Sequence, residues 1–249
     1  MRRGLVGLVL LAVLVPGGSA TARPVAANAN LTVFAAASLT DAFPMIGPRA
    51  SYSFGGSNAL AAQIRQGAPA DVFASANMAL PNGLHRDRLC SKPVVFTRNK
   101  LVVIVPRSNP AGIGSVYDLR ESGVKIVIAA QGVPVGSYTL QVLRNMNLTS
   151  VLSNVVSRES DVREVLAKVA LDEADAGFVY STDARTVPSK VRAIKIPAWA
   201  QPKVQYGICV VTASSHKAAA RAFVKRVLGP TGQRILVHHG FVPRVKPRP

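Results

Sequence analysis

Short apolar runs rich in β-branched residues alternate with helical patterns along most of the chain. Leu31–Ala35, Tyr52–Phe54, Asp71–Ala74, Leu101–Val105, Lys125–Ala129, Gly177–Tyr180, Val191–Ile196 and Val204–Thr212 read as strands. Helical spacing is predicted over Leu39–Ile46, Asn58–Gln66, Met78–Arg86, Val116–Glu121, Ser137–Asn145, Val162–Leu171, His216–Leu228 and Pro230–His238. In Asn58–Gln66, for example, Leu60, Ala61 and Ile64 fall on one face. This alternation predicts an α/β fold with parallel sheets covered by helices on both faces. No internal repeat, coiled coil or low-complexity segment interrupts it.

The N-terminus breaks the pattern. Arg2 and Arg3 precede an apolar run from Leu5 to Val15, followed by Pro16, Gly17, Gly18, Ser19 and Ala20. A basic start, a short apolar centre and small residues after it form a secretory signal. The run is well short of the roughly 20 residues a membrane span needs. Cleavage after Ala20, Ala22 or Ala29 fits equally, and no nearby Cys offers a lipid attachment point. The expectation is an exported protein, in the periplasm or at the outer face of the cytoplasmic membrane.

At 249 residues with 49% hydrophobic and 17% charged residues, the chain can bury a large core and is not a disordered one. Thirty basic against 12 acidic side chains give a formal charge of +18. Residues 1–29 hold only Arg2, Arg3 and Arg23 of that excess, so most of it belongs to the folded body. Such a charge suits anionic partners or a dispersed solvated surface. A nucleic-acid reader is disfavoured, because no aromatic–basic motif accompanies the charge. The two cysteines, Cys90 and Cys209, leave both a disulfide and separate thiols open. His85, His216, His238 and His239 show no zinc-ligand spacing.

Candidate chemistry gathers where helices begin. Ser38 sits between the strand ending at Ala35 and the helix expected from Leu39, and Ser57 follows Gly55-Gly56. Val133-Pro134-Val135-Gly136 leads into a third helix, and Asp161-Val162 opens a fourth. The free N–H groups and partial positive charge of a helix start attract anions, and in open α/β sheets these starts lie where ligands bind. Ordinary capping by Ser or Asp explains any one of these junctions alone. Paired glycines are less ordinary, since they let backbone approach a ligand closely.

At these positions the chain resembles the substrate-binding proteins of molybdate ABC transporters. The resemblance runs through Phe34-Ala35-Ala36-Ala37-Ser38-Leu39, Phe54-Gly55-Gly56-Ser57 and Gly67-Ala68-Pro69-Ala70-Asp71-Val72-Phe73-Ala74-Ser75-Ala76. It continues through Val133-Pro134-Val135-Gly136-Ser137-Tyr138, Asp161-Val162-Arg163, Ala174-Asp175-Ala176-Gly177-Phe178-Val179-Tyr180 and Gly240-Phe241-Val242-Pro243. These motifs follow family order over nearly all of the chain after the signal. The resemblance implies a two-lobed periplasmic-binding-protein fold of type II, each lobe a mostly parallel sheet flanked by helices. Residues 30–98 and 204–243 would form the first lobe, 99–203 the second, and 244–249 a tail.

It further implies that a tetrahedral oxyanion is held by the hydroxyls of Ser38 and Ser57, the N–H groups of Val135 and Val162, and the hydroxyl of Tyr180. The ligand would be molybdate or tungstate, with no cofactor and no free-cation site. The partners would be the membrane permease subunits of an importer, and the protein itself a monomer. Three departures accompany the match. Only Gly47-Pro48-Arg49-Ala50 stands where the family has a longer segment, Asn77 replaces a common Asp, and Gln131-Gly132 replaces the usual lead into the Val-Pro motif. Two other functions compete. A serine hydrolase would use Ser38 or Ser57, but it needs a positioned base, and neither Ser lies in Gly-x-Ser-x-Gly. A sensory domain would keep the fold without transport.

Overall fold

A computed structural model describes residues 31–244. The expected signal segment 1–29 and the tail beyond Arg244 lie outside them. Among the described residues no helix is long and apolar enough to cross a membrane.

The strands form two sheets. The chain first lays down β1 (Thr32–Ala36), β2 (Ser51–Gly55), β3 (Val72–Ser75) and β4 (Val94–Arg98). It then crosses to build β5 (Leu101–Pro106), β6 (Ile126–Ala129), β7 (Val155–Glu159), β8 (Ala176–Tyr180) and β9 (Val191–Lys195). It returns for β10 (Gln205–Val210) and β11 (Val242–Pro243). The first sheet has the order β11-β4-β10-β3-β1-β2, the second β7-β6-β8-β5-β9. Helices α1 (Phe43–Ile46), α2 (Ser57–Arg65), α3 (Ala79–Arg86), α4 (Pro134–Asn145), α5 (Val162–Ala170), α6 (Ser181–Ala184), α7 (Lys217–Leu228) and α8 (Pro230–His238) flank them.

The expected α/β architecture of helix-flanked sheets is present, with more antiparallel pairing than the strand–helix alternation predicts. The parallel pairs are β1 with β2 and β3, and β6 with β7 and β8. The strands at the crossings run the other way: β10 is antiparallel to β3 and β4, and β5 to β8 and β9. A strand that arrives from the other sheet has no crossover helix to return it to the parallel direction.

Local departures from the predicted elements have identifiable causes. The stretch Leu39–Ile46 is not one helix but a 3-10 turn over Ala37–Leu39 followed by α1. Pro44 explains the break, because inside a longer helix it would lack an N–H and clash with the carbonyl four residues back. It sits instead in the first turn of α1. Val116–Arg120 is likewise a 3-10 turn, and α4 begins at Pro134 rather than at Ser137. The strands β7 and β11 carry no clear apolar signal, and β4, with its run Val94-Val95-Phe96, is absent from the predicted strands. β7, for instance, is an edge strand with no fully buried residue.

An aromatic line runs from the first-sheet core toward the gap between the sheets. Phe43 meets Phe96 with ring centroids 5.7 Å apart, and Phe96 meets Tyr206 edge-on at 6.0 Å. Tyr206 in turn contacts Tyr180 at 5.6 Å and Phe241 at 5.5 Å. Gly240 turns the chain out of α8 with φ of +88°, a conformation that favours glycine, and so delivers Phe241 to this cluster. The Gly240–Pro243 motif therefore supports the wall behind Tyr180 and Tyr206.

Candidate functional site

One small cavity lies between the two sheets, and Ser38, Ser57, Val135, Val162 and Tyr180 all line it. It encloses about 210 Å³ of space between atoms, its mouth included. No lysine, arginine or histidine is among its lining residues. The expected donors therefore come together from both sides of the gap, without a cationic side chain among them.

The N–H groups are left free by local chemistry. At α4, Pro134 occupies the first position and has no N–H, so Val135 supplies the first donor of the helix. At α5, the Asp161 carboxylate accepts from the N–H groups of Arg163 at 2.7 Å and Glu164 at 3.1 Å. That cap takes the second and third donors and leaves the first, Val162, unclaimed. Asp161 also borders the cavity, so the site is not free of carboxylate. The same oxygen, Oδ1, accepts both of these helix N–H bonds.

The serine hydroxyls are oriented by neighbours. Ser57 Oγ accepts from the Ala76 N–H at 3.1 Å, which leaves its own hydrogen to donate. Ser38 Oγ lies 2.8 Å from the Tyr206 hydroxyl. Asn99 stands on the other side of that phenol. Its Oδ1 accepts from the Lys100 N–H and the Ser181 hydroxyl, so its Nδ2 faces the other way. That nitrogen donates to Thr182 Oγ1 at 2.9 Å and to the Tyr206 hydroxyl at 3.3 Å. With Tyr206 as the donor of the bond to Ser38, Ser38 presents its own hydrogen to the cavity. Burial raises the Tyr206 pKa well above the ordinary value, so the phenol keeps its proton.

Tyr180 is 1% exposed, and its hydroxyl is buried with no hydrogen-bond partner among the described residues. Burial, then the neighbouring Tyr206, pushes its pKa well up, so it too is a neutral donor. A buried hydroxyl without a partner is costly, on the order of 1–3 kcal/mol. Its position on the cavity wall gives that cost a use, because a bound acceptor would remove it.

Two contacts join the halves beside the cavity. Arg163, next to Val162, donates from Nη2 to Asp41 on the first-sheet side at 2.5 Å and from Nε to Asp183 at 2.8 Å. Asp183 is fully buried, and its Oδ2 accepts the Tyr180 N–H at 3.2 Å. Burial raises the Asp183 pKa to about 6 against the opposing pull of Arg163. Gly56 is the second contact. A Cβ there would stand 2.3 Å from the Ser160 carbonyl oxygen across the gap, so only glycine permits this approach.

Residues 31–242 match the family of bacterial extracellular solute-binding proteins. The chain belongs to that family. It is 38% identical to the molybdate-binding protein ModA of Mycobacterium tuberculosis, over 96% of each chain. To the molybdate-binding protein ModA of Haemophilus influenzae it is 34% identical, covering 87% of this chain and 91% of that one. The fold is shared with the periplasmic molybdate-binding protein of Azotobacter vinelandii, at TM-score 0.76 and 23% identity over 86% of this chain and all of the other.

As a solute-binding protein, the chain is not read as an enzyme, and three of its four histidines contact groups away from the cavity. His85 bonds the Cys90 carbonyl, His216 pairs with Asp71, and His239 approaches Met45. The shortened segment is tied down, since the Tyr52 hydroxyl bonds the carbonyls of Phe43 and Gly47, both at 2.8 Å. Asn77 in place of Asp still caps, its Oδ1 accepting from the Leu80 N–H at 3.1 Å. Motif reading missed Tyr206, Asn99 and the Arg163–Asp41 pair. Tyr206 and Asn99 lie outside the recognised motifs. Arg163 lies within one, but nothing in the sequence pairs it with a residue 122 positions away.

Proposed function

We propose that this protein captures molybdate outside the cytoplasm and delivers it to the permease subunits of an ABC importer. The names of its relatives support that substrate. The single observation that carries the reading for this chain is the buried, partnerless Tyr180 hydroxyl on a cavity also lined by Ser38, Ser57, Val135 and Val162. In this reading those two serine hydroxyls, two N–H groups and one phenol hold the oxyanion.

Their chemistry suits the guest. Molybdate is a dianion at neutral pH whose oxygens only accept hydrogen bonds, and each group in the set can donate. Hydrogen bonds to a charged acceptor contribute roughly 1.5–3 kcal/mol each. Hydrogen phosphate brings a proton that needs an acceptor. Asp161 borders the cavity with Oδ1 engaged by Arg163 and Glu164, so a phosphate titration reads whether its second oxygen serves that proton. Sulfate is discriminated by size. Tungstate, which shares shape and charge with molybdate, binds as well.

Residues 30–98 and 204–243 make one lobe and 99–203 the other, and closure brings the donors of both around the guest. Ligand binding favours the closed form through the contacts made only there. The permease recognises that form of a monomeric protein exported to the periplasm or the outer face of the cytoplasmic membrane. Calorimetric titration with molybdate, tungstate, sulfate and phosphate tests the proposal. Tight binding of the first two and weak binding of the others is expected, and equal affinity for all four would overturn it.

A further inference from the structure

A second, larger cavity lies where the chain crosses between the sheets, and it shares no lining residue with the first. It has about 770 Å³ open to a small guest and about 1480 Å³ of space between atoms, its mouth included, against about 210 Å³ for the first. Its walls come from both crossings, Arg98–Val102 on one side and Lys195–Val204 on the other. The two crossings are bonded to each other. Gln201 accepts from the Leu101 N–H at 3.1 Å and donates to the Leu101 carbonyl at 2.7 Å.

The lining has two characters. Leu101, Val102, Ile196, Pro202, Val204 and Val242 form an apolar floor. Arg98, Lys100, Lys195 and Lys203 stand around it, with no acidic residue in the lining. None of these four cations forms an ion pair among the described residues. Arg98 donates only to the Pro243 carbonyl, at 3.1 and 3.0 Å, which leaves its charge without a counterion. The sequence after Val242 adds Arg244, Lys246 and Arg248 and no acid, so it supplies no negative side chain either. Trp199, 64% exposed, follows the lining residue Ala198 and extends the apolar surface at the rim.

We infer that this cavity is a binding site for a small anionic amphiphile, a molecule with one acidic head and an apolar body. Its volume lies within the roughly 300–1,000 Å³ of small-molecule sites, and an apolar wall with few placed polar groups is their usual make-up. A bare inorganic anion would leave the floor unused. A neutral lipid would leave the cationic rim unused. Only a guest with both parts uses both surfaces.

Decanoate, with decanol as its uncharged counterpart, tests the assignment on the purified protein by calorimetry and by fluorescence of Trp199, the single tryptophan of the chain. Decanoate is expected to bind saturably at one molecule per chain, more weakly as salt screens the cations. Decanol is expected to bind far less. The double variant Lys195→Glu, Lys203→Glu should weaken decanoate about tenfold or more, as loss of charge-assisted contacts requires. Ala198→Trp, which fills the cavity from a wall, should abolish binding. Molybdate titration of both variants checks that each is folded. Absence of saturable binding, equal binding of decanol, or unchanged decanoate affinity in either folded variant would overturn the inference.

Discussion

Arg163 and Asp41 are 122 residues apart in sequence and meet at 2.5 Å across the gap between the two sheets. Arg163 is held on its own side by the buried Asp183, so it reaches Asp41 as a fixed arm rather than a free surface cation. The pair lies beside Val162, one of the candidate ligand donors. It therefore stabilises the arrangement in which the donors of the two halves face each other.

Replacing Asp41 with Asn is expected to weaken molybdate binding modestly. Asp41 is partly exposed, its side chain 43% accessible, and pairs of that kind are worth about 0.2–1 kcal/mol. Titration calorimetry should show a loss of no more than several-fold, with little change in the unfolding temperature of the ligand-free protein.

Ser38→Ala and Ser57→Ala should each cost about 1.5–3 kcal/mol of binding, or roughly ten- to a hundredfold in Kd. Tyr206→Phe should also weaken binding, although Tyr206 is absent from the cavity lining, because it removes the group that turns the Ser38 hydrogen inward. Affinity unchanged by Tyr206→Phe would mean that Ser38 is not oriented through Asn99 and Tyr206.

Gly56→Ala should separate binding from folding. The added methyl meets the Ser160 carbonyl only when the halves are together, so the ligand-free protein should unfold near the wild-type temperature. Molybdate affinity should fall at least tenfold, and small-angle scattering should show the variant remaining extended when molybdate is added.

The Asp183 carboxyl should titrate near pH 6, followed through its carbon resonance. Its pKa is raised in the folded protein, so between about pH 4 and pH 6 the native state holds more protons than the unfolded one. The stabilisation from this group is complete below that window and is lost as pH rises through 6. Thermal melts of wild type against Asp183→Asn should show the wild type losing ground across that interval and then levelling.

Cys90 and Cys209 are both buried free thiols in the same core cluster. A hydrogen bond with Cys90, and then burial, pushes the Cys209 thiol strongly up. Neither should react with an aromatic disulfide reagent while the protein is folded, and two equivalents should react on unfolding.

Much of the candidate site was legible because its proposed donors sit at element junctions that leave marks in the sequence. Gly-Gly before Ser57, Pro134 before Val135, and Asp161 before Val162 each announce a helix start with a spare N–H. The groups that aim those donors left no such mark. Tyr206 is the second residue of β10, where an aromatic residue is ordinary core, and Asn99 lies in a two-residue link. Their roles come from tertiary contacts with Ser38 and Thr182, which no local pattern encodes. The fold was readable in most strands and obscure at β7 and β11, of which one is half polar and the other two residues long, while β4 has an apolar run but no place among the predicted strands. The single helix expected over Leu39–Ile46 failed on Pro44, whose position alone decides where α1 can begin.

The brevity of the passage from β4 to β5 has a mechanical consequence. Asn99 and Lys100 alone carry the polypeptide from one sheet to the other, and the amide of Asn99 also steers the phenol behind Ser38. A swing of the halves about that strap cannot leave the serine's proton pointing where it did. In the proposed closure, loosening the grip and opening the door are thus one motion, in which the second crossing, tied to Leu101 through Gln201, must share.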